Sequence, residues 1–242
     1  MDDRHITDQP GGILLPGPTL IMKCPRCAGL SQESTLTSGN TFGAKYWTDG
    51  AMRAPMLPRT PPIVKCAHWS GVAWADDFEE VASWDRYSNG TVSGADGEPM
   101  FSNADEDARA RASYEELPEY RHASFADIVD FADRATLPQE EEFFARMVCW
   151  QAGNDARRDS GTPEPLSEAE DANLTRLLQL LVIDPESSAL TRAEVLRELG
   201  RFAEARQTLD GAELHVDERA FSDFIGELIA LIDARVRRIP AA

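Results

Sequence analysis

The sequence predicts an α+β protein in which a small β module precedes a helical domain. Residues 1–75 are rich in Gly, Pro, Thr and aromatic residues, and their short apolar pieces at 19–22 and 62–65 have the length of strands and are flanked by turn residues. From about residue 123 onward, apolar residues instead recur at helical spacing. We therefore expect a β module at 1–75, an acidic and mostly solvated connector at 76–122, and an α-helical domain at 123–242.

Three sites carry the N-terminal capping pattern of a helix, in which a Ser or Thr hydroxyl accepts a backbone N–H and an acid three residues later reaches back. The pairs are Ser124 with Asp127, Ser167 with Glu170, and Thr191 with Glu194. Apolar residues at helical spacing follow each pair. The pattern predicts that a helix begins at each of the three sites.

Two more helices are predicted from single residues and from spacing. Pro138 suits an early helical position, because that position needs no N–H donor. The helix that it begins is expected to bury Phe143, Phe144, Met147 and Val148. The last helix places seven apolar residues between Phe221 and Val236 on one stripe. Its final turns hold cations, which complement the helix dipole, at Arg235, Arg237 and Arg238.

One stretch of this helical region resembles a known repeat. Gly200, Phe202, Ala205 and Leu209 have the spacing of the helix–turn–helix core of a tetratricopeptide repeat, in which a Gly closes the first helix and a small Ala permits close packing. Upstream, Asp184-Pro185 resembles the ending of a preceding repeat. The resemblance implies stacked helical hairpins with a concave face suited to peptides or to a helix of another protein. A generic helical bundle is the alternative.

The most specific local signal is a pair of cysteines two residues apart, Cys24 and Cys27. Both thiolates of such a turn can face one ion, and a second turn would complete a tetrahedral zinc site, as in zinc ribbons. The second turn resembles a ribbon knuckle at Cys66, but Trp69 stands where the fourth cysteine is expected. The sequence therefore predicts a structural zinc held by Cys24, Cys27, Cys66 and His68, and water or another residue in the fourth position stays open as an alternative to His68.

Two other interpretations of the cysteines stay open. The ribbon could be held by packing alone, without a metal, or the pair could act as a redox couple, although such couples usually open a helix beside a βαβ unit. Cys149 lies among apolar residues at helical spacing, so we expect it to be a small buried residue and not a ligand.

The segment 38–50 combines turn residues with aromatic residues in the least acidic part of the chain, close to Lys45 and Arg53. Aromatic residues interleaved with basic ones can stack on bases and hold phosphates. The preferred interpretation is a long ribbon loop that packs its aromatic side chains onto the body of the protein.

The chain has 42 acidic and 24 basic residues, for a net charge of −18. The acidity lies beyond residue 70, because residues 1–70 contain seven basic and five acidic side chains. Such a field repels phosphate backbones and attracts a basic partner. We therefore expect binding to a basic protein and not to nucleic acid, although the charge could also serve solubility alone.

No targeting or membrane-spanning segment is apparent. The first twenty residues are acidic, and their apolar stretch at 13–15 ends at Pro16, unlike a secretory signal. No apolar run approaches the roughly 20 residues of a transmembrane helix. Four cysteines are too few for a disulfide scaffold. We expect a cytoplasmic protein.

The preferred function is non-catalytic recognition of another protein, with a bacterial immunity protein that neutralises a basic toxin as one biological case. The sequence lacks the motifs of serine nucleophiles, zinc-dependent proteases, phosphate-binding loops and dinucleotide sites. Two alternatives remain: a nucleic-acid-associated factor that uses the ribbon with Lys45 and Arg53, and a metal-dependent enzyme.

Overall fold

The predicted α+β class is confirmed by a computed structural model, which describes residues 15–57, 61–85, 91–134, 136–160, 165–181, 189–211 and 220–236. Antiparallel sheets come first in the chain, and seven helices follow, with one short strand between the first two helices. No helix among these residues is long and apolar enough to cross a membrane.

The larger sheet has four strands in the order β2-β1-β7-β8. They are β1 (Leu15–Lys23), β2 (Leu30–Ser38), β7 (Glu79–Trp84) and β8 (Val92–Ser93). Ile21 in the central strand packs with Ala82, Trp84 and Val92 in a buried cluster. Alternate residues of β7 therefore face this core, as the two-residue period of a strand requires.

The second sheet has three strands in the order β6-β5-β9. A separate two-stranded ribbon is formed by residues that lie between β2 and β5 in the sequence. The ribbon strands are β3 (Lys45–Tyr46) and β4 (Met52–Arg53); the sheet strands are β5 (Ile63–Lys65), β6 (Val72–Trp74) and β9 (Arg121–His122). A short 3-10 helix at Ala75–Asp77 follows β6. The expected short β elements are thus present.

The segment 76–122 was expected to be a solvated connector, and only part of it is. β7 pairs with β1, β8 pairs with β7, and β9 pairs with β5, so this segment adds two strands to the four-stranded sheet and one to the three-stranded sheet. Helix α1, in the same segment, has no buried residue. The division into domains at residue 75 stays a prediction, but residues beyond it supply strands to the four-stranded and the three-stranded sheet.

The helices are α1 (Ala104–Glu115), α2 (Phe125–Arg134), α3 (Gln139–Ser160), α4 (Glu168–Leu181), α5 (Ala189–Glu198), α6 (Phe202–Asp210) and α7 (Ala220–Asp233). From α2 to α7, each helix packs against its neighbour in the chain. Buried Leu174, Leu177 and Leu181 of α4 join α3 to α5 in one apolar cluster.

Two of the three predicted capping boxes are confirmed. The Asp127 amide donates to the Ser124 hydroxyl, and the Asp127 carboxylate accepts from the Ser124 amide; Ser167 and Glu170 make the same pair of bonds. The third prediction is wrong, because α5 begins at Ala189 and the Glu194 carboxylate is buried in the protein interior.

The α5–α6 hairpin closes at Gly200, whose φ of +77° suits glycine. The Arg201 amide donates to the Leu196 carbonyl, and the Gly200 amide donates to the Arg197 carbonyl, which is the Schellman ending of a helix. Ala205 and Leu209 are buried, as their spacing predicts. Asp184 and Pro185 lie outside the described residues.

Helix α3 buries the expected face in part: Phe143 and Met147 pack partly buried against the α4–α5 cluster, and Val148 packs against the cluster around Cys149. Phe144 is 48% exposed, so its predicted burial is wrong, whereas Cys149 is fully buried as predicted. Ala145, Arg146 and Trp150 of the same helix are also buried, and Trp150 donates a hydrogen bond to a buried carboxylate.

The last helix follows its predicted stripe where its side chains are described. Leu228 and Ile232 are buried against α5 and α6. Arg235 lies just beyond α7 with a φ of +53°. Arg237 and Arg238, predicted to complement the dipole of this helix, lie outside the described residues.

A buried ion pair joins the β module to the helices. The Asp49 carboxylate pairs with Arg158 of α3, and both side chains are almost wholly buried. Asn154 Nδ2 also donates to Asp49 Oδ2 at 3.0 Å. The Arg158 guanidinium lies 4.9 Å from the centre of the Trp47 ring, so the β3–β4 ribbon covers one side of this ion pair.

Three charged residues of α5 extend this cluster. Arg197 donates two hydrogen bonds of 2.6 Å to Glu194, one to each carboxylate oxygen. The Thr48 hydroxyl donates to the same carboxylate. Glu198 accepts a hydrogen bond of 3.0 Å from Trp150 Nε1. The buried charge cluster, as we call Asp49, Arg158, Glu194, Arg197 and Glu198, therefore connects the 47–51 turn with two helices.

Removing the Asp49 charge tests this connection. We expect Asp49→Asn to lower the free energy of unfolding by about 3–5 kcal/mol, because Arg158 is left as a buried charge with its buried partner removed. Asp155→Asn is the matched control, since Asp155 pairs with the same guanidinium but is half exposed; its cost should stay below about 1 kcal/mol. Urea unfolding measures both, and equal costs would contradict the ion pair's structural importance.

The pH dependence of stability tests the environment of Glu198. Burial and the nearby Glu194 raise the pKa of Glu198 to about 8, although Arg197 opposes the shift. A carboxyl whose pKa is higher in the folded state stabilises fully below its unfolded pKa, and this contribution is lost as the pH rises through the folded pKa.

Stability should therefore fall between about pH 4.5 and pH 8, and Glu198→Gln should make the fall shallower. Urea unfolding at the two pH values checks this expectation. An unchanged slope in the variant would show that Glu198 is not the group responsible.

Candidate metal centre and acidic furrow

Three cysteines meet at one end of the two sheets. Cys24 follows β1, Cys27 lies in the turn before β2, and Cys66 follows β5. Their sulfur atoms all lie within 4.8 Å of one another, with Cys27 Sγ and Cys66 Sγ 3.7 Å apart. Cys24 and Cys66 are buried, Cys27 is exposed, and all are free thiols. Three such sulfurs could hold a metal ion.

The first cysteine turn closes the β1–β2 hairpin. The Cys24 amide donates to the Gly29 carbonyl, and the Ala28 amide donates to the Cys24 carbonyl, each at 3.0 Å. Ala28 has a φ of +56°, which turns the chain sharply. The Gly29 amide points back to Cys27 Sγ at 3.4 Å. The turn therefore presents both of its sulfurs on one side.

The second turn closes the β5–β6 hairpin with the same backbone pattern. The Cys66 amide donates to the Gly71 carbonyl at 2.9 Å, and the Ser70 amide donates to the Cys66 carbonyl at 3.0 Å. Ser70 has a φ of +62°, matching Ala28. Position by position, Trp69 therefore occupies the place that Cys27 holds in the first turn.

His68, the predicted fourth ligand, is not brought into the group of sulfurs that the described residues form. Its Nε2 lies 2.6 Å from the Leu30 carbonyl oxygen. Its ring also covers Gly29, where an added Cβ would meet ring carbons at 2.5 Å. The imidazole therefore packs across the first turn and not toward the three sulfurs.

The pKa values of the two thiols in the first cysteine turn shift in opposite directions. For Cys24, burial is the largest influence and raises the pKa, but hydrogen bonds from the backbone of Cys27 and Arg26 outweigh it and lower the pKa from its ordinary value. For Cys27, the Gly29 amide lowers the pKa most, but desolvation and the two other sulfurs together raise it.

Cys149, the fourth cysteine of the chain, lies in a different apolar cluster from the three-cysteine group. Burial raises the pKa of the Cys149 thiol to about 12. Cys149 lies in α3 among Ile128, Ala132 and Ala145, in an apolar cluster. It therefore behaves as the small buried residue that its spacing predicts.

The aromatic segment at 38–50 only partly packs onto the body. Trp47 is buried, whereas Phe42 and Tyr46 are exposed. Arg53 donates a 3.0 Å hydrogen bond to Asp155 of α3. One aromatic residue thus packs onto the body as the preferred interpretation predicts, and Arg53, one of the two basic residues of the alternative nucleic-acid interpretation, is engaged by a carboxylate.

An acidic furrow lies where the β module meets the start of α3. It consists of two open depressions, of about 370 Å³ and 400 Å³, which share Pro62 and Asp76. Their described lining includes five acidic residues and no basic one. The acids are Glu33, Asp76, Asp77, Glu140 and Glu141.

Two aromatic rings form part of the wall of the furrow. The Trp74 and Phe144 ring centres lie 5.7 Å apart, and the Phe131 ring packs against Trp74 in a T-shaped arrangement with the ring centres 5.3 Å apart. Aromatic faces beside carboxylates can hold a cation, through attraction to the ring and through ion pairs. Sequence analysis missed this site because its two sides come from β6 and α3.

Comparison of the chain with family models, with curated proteins and with solved structures finds no match. Function is therefore inferred from two features of the molecule itself: the three-cysteine group and the acidic furrow.

Metal binding should stabilise the protein, because an ion that binds only the folded state raises the free energy of unfolding by about 2.7 kcal/mol at 100 times its dissociation constant. We expect Co²⁺, a probe with affinity for thiolates, to raise the melting temperature of the wild type under anaerobic conditions. Cys24→Ser should lose most of this increase.

Cys149→Ser is the matched control for the loss of one buried thiol. It should lower stability but keep the cobalt-dependent increase, because Cys149 lies in a different cluster. Loss of the increase in both variants, or in neither, would show that the three-cysteine group does not bind the ion.

Proposed function

We propose that this chain is a non-catalytic binding protein whose acidic furrow takes a basic segment of another protein, and whose β module is held by a structural zinc ion. The observation that carries the proposal is the Trp74–Phe144 aromatic pair, lined by carboxylates on both sides. A Lys or Arg side chain lays its apolar stem on such rings while its charged end meets the acids.

Zinc is supported by the distance between two of the sulfurs. Thiolate sulfurs about 2.3 Å from a tetrahedral zinc ion lie about 3.8 Å from one another. Cys27 Sγ and Cys66 Sγ are 3.7 Å apart. The two cysteine turns also share one backbone pattern, which supports the pair of matching turns that the zinc-ribbon resemblance implies. The ion would cross-link two hairpins of a module with a small core of its own.

A basic partner is supported by charge at short and at long range. Asp76, Asp77, Glu140 and Glu141 are all exposed at the furrow, where they can make direct ion pairs. The net charge of −18 adds a long-range attraction that speeds the encounter at low salt. The acids at the furrow then determine where on the surface a basic segment binds.

The helical half supports the proposal as a scaffold. The α5–α6 hairpin closes at Gly200 and buries Ala205 and Leu209, which supports the tetratricopeptide resemblance, and α4 packs between α5 and α3. This stack fixes the long α3 helix, whose first turn supplies Glu140 and Glu141. Rigid placement of these acids reduces the entropy that binding must overcome.

Charge reversal tests the furrow with a matched control. The pair Glu140→Lys/Glu141→Lys should weaken binding of a fluorescein-labelled Arg- and Lys-rich nonapeptide about tenfold or more, equivalent to about 1.4 kcal/mol. The control pair Glu168→Lys/Asp171→Lys makes the same net change in another first helical turn. It should weaken binding about threefold or less.

Fluorescence anisotropy at two salt concentrations measures both variants. Phe144→Ala should cost a further, less salt-sensitive part of the affinity, because it removes a ring and not a charge. Equal weakening by the two charge-reversal pairs would mean that the peptide senses only the overall field, and the furrow would then not be the binding site.

A further inference from the structure

The fourth corner of the metal site lacks a sulfur because of one residue. The two cysteine turns share their hydrogen bonds and their positive φ position, so Trp69 stands where a fourth thiolate would complete the tetrahedron. An indole N–H only donates hydrogen bonds and cannot ligate a metal ion as a thiolate does. Trp69 therefore leaves the corner without a donor at the position that Cys27 holds in the first turn.

Neighbouring side chains are held away from that corner. The Trp69 ring lies against Gly71, where an added Cβ would meet ring carbons at 2.4 Å. The His68 ring lies against Gly29, and its Nε2 contacts the Leu30 carbonyl oxygen. Gly29 and Gly71 therefore leave room for the His68 and Trp69 rings to pack against the two turns, where the rings stay out of the group of sulfurs.

The surroundings of the corner suit a small anionic ligand. Cys27 is exposed, so the group of sulfurs reaches solvent. The Arg26 guanidinium lies 5.7 Å from the centre of the Trp69 ring, and Trp69 itself is 44% exposed. A cation held beside this corner attracts an incoming anion.

We infer that the ion held by Cys24, Cys27 and Cys66 keeps an exchangeable fourth position, which accepts a small external thiolate. The inference rests on the zinc site of the proposed function. Zinc sites with three protein ligands hold water in the fourth position. In the exchange, the thiol loses its proton to solvent and its sulfur replaces the bound water, with no change of oxidation state.

Cobalt spectroscopy of the full-length protein tests this inference, because each cobalt–sulfur bond adds to the thiolate-to-metal charge-transfer absorption. Adding mercaptoethanol to the Co²⁺-loaded wild type should raise this absorption by about one third, as three bonds become four. Trp69→Cys should show the higher absorption without added thiol and should not respond to it. Trp69→Ala should respond as the wild type does, which covers the case in which Trp69→Cys fails to fold.

The variant His68→Ala tests the competing explanation, in which His68 is the fourth ligand of the metal ion. It should leave both the spectrum and the thiol response unchanged. A wild type that ignores the thiol, together with a changed spectrum in His68→Ala, would overturn the exchangeable position and assign the fourth ligand to His68. A wild type with no charge-transfer absorption at all would instead overturn the zinc site on which the inference rests.

Discussion

A charge buried in a protein must be paired, and this constraint fixes how the β module meets the helices. The buried charge cluster contains three carboxyl groups, at Asp49, Glu194 and Glu198, and two guanidinium groups. Full ionisation would leave one negative charge in excess in a site of low dielectric constant. The raised pKa of Glu198 resolves the imbalance, since a protonated carboxyl carries no charge.

The same constraint places the acidic furrow. Helix α3 has 22 residues, which correspond to a length of about 33 Å. Near its end, Asn154 and Arg158 hold the 47–51 turn through Asp49. At its beginning, Phe144 lies against Trp74 of the second sheet. Because one rigid helix carries both contacts, pairing the buried charges at one end also positions the furrow acids at the other.

Sequence patterns succeeded where the partners lie within a few residues of each other. The capping boxes at Ser124 and Ser167 and the first cysteine turn each depend on contacts across no more than five positions, so local chemistry is sufficient. Thr191 and Glu194 carry an identical pattern, yet Glu194 accepts from Thr48, 146 positions away. Burial against a distant segment outweighs a surface cap, and no local pattern reveals it.

Strand β7 shows a second limit of local patterns. Acids dominate the segment around it, which favours a solvated connector. Ala82 and Trp84, however, lie on one face of the strand and fill the core beside Ile21, while Glu79 stays exposed. Similarly, the furrow combines Trp74 with Phe144, and their meeting depends on how a helix crosses a sheet. Such long-range contacts depend on the whole fold.

The candidate metal centre and the acidic furrow are built on the same hairpin and on the same apolar cluster. The second cysteine turn closes the β5–β6 hairpin at Cys66, and Trp74 lies at the opposite end of the same hairpin, paired with Ile63. Between them, Met22 and Phe78 pack with Cys24 and Cys66 in one core and also line one half of the furrow. A metal ion bound by the three cysteines would tie the two hairpins together and so restrain the residues that form the furrow. In the proposed function, this ion would contribute to recognition without touching the partner.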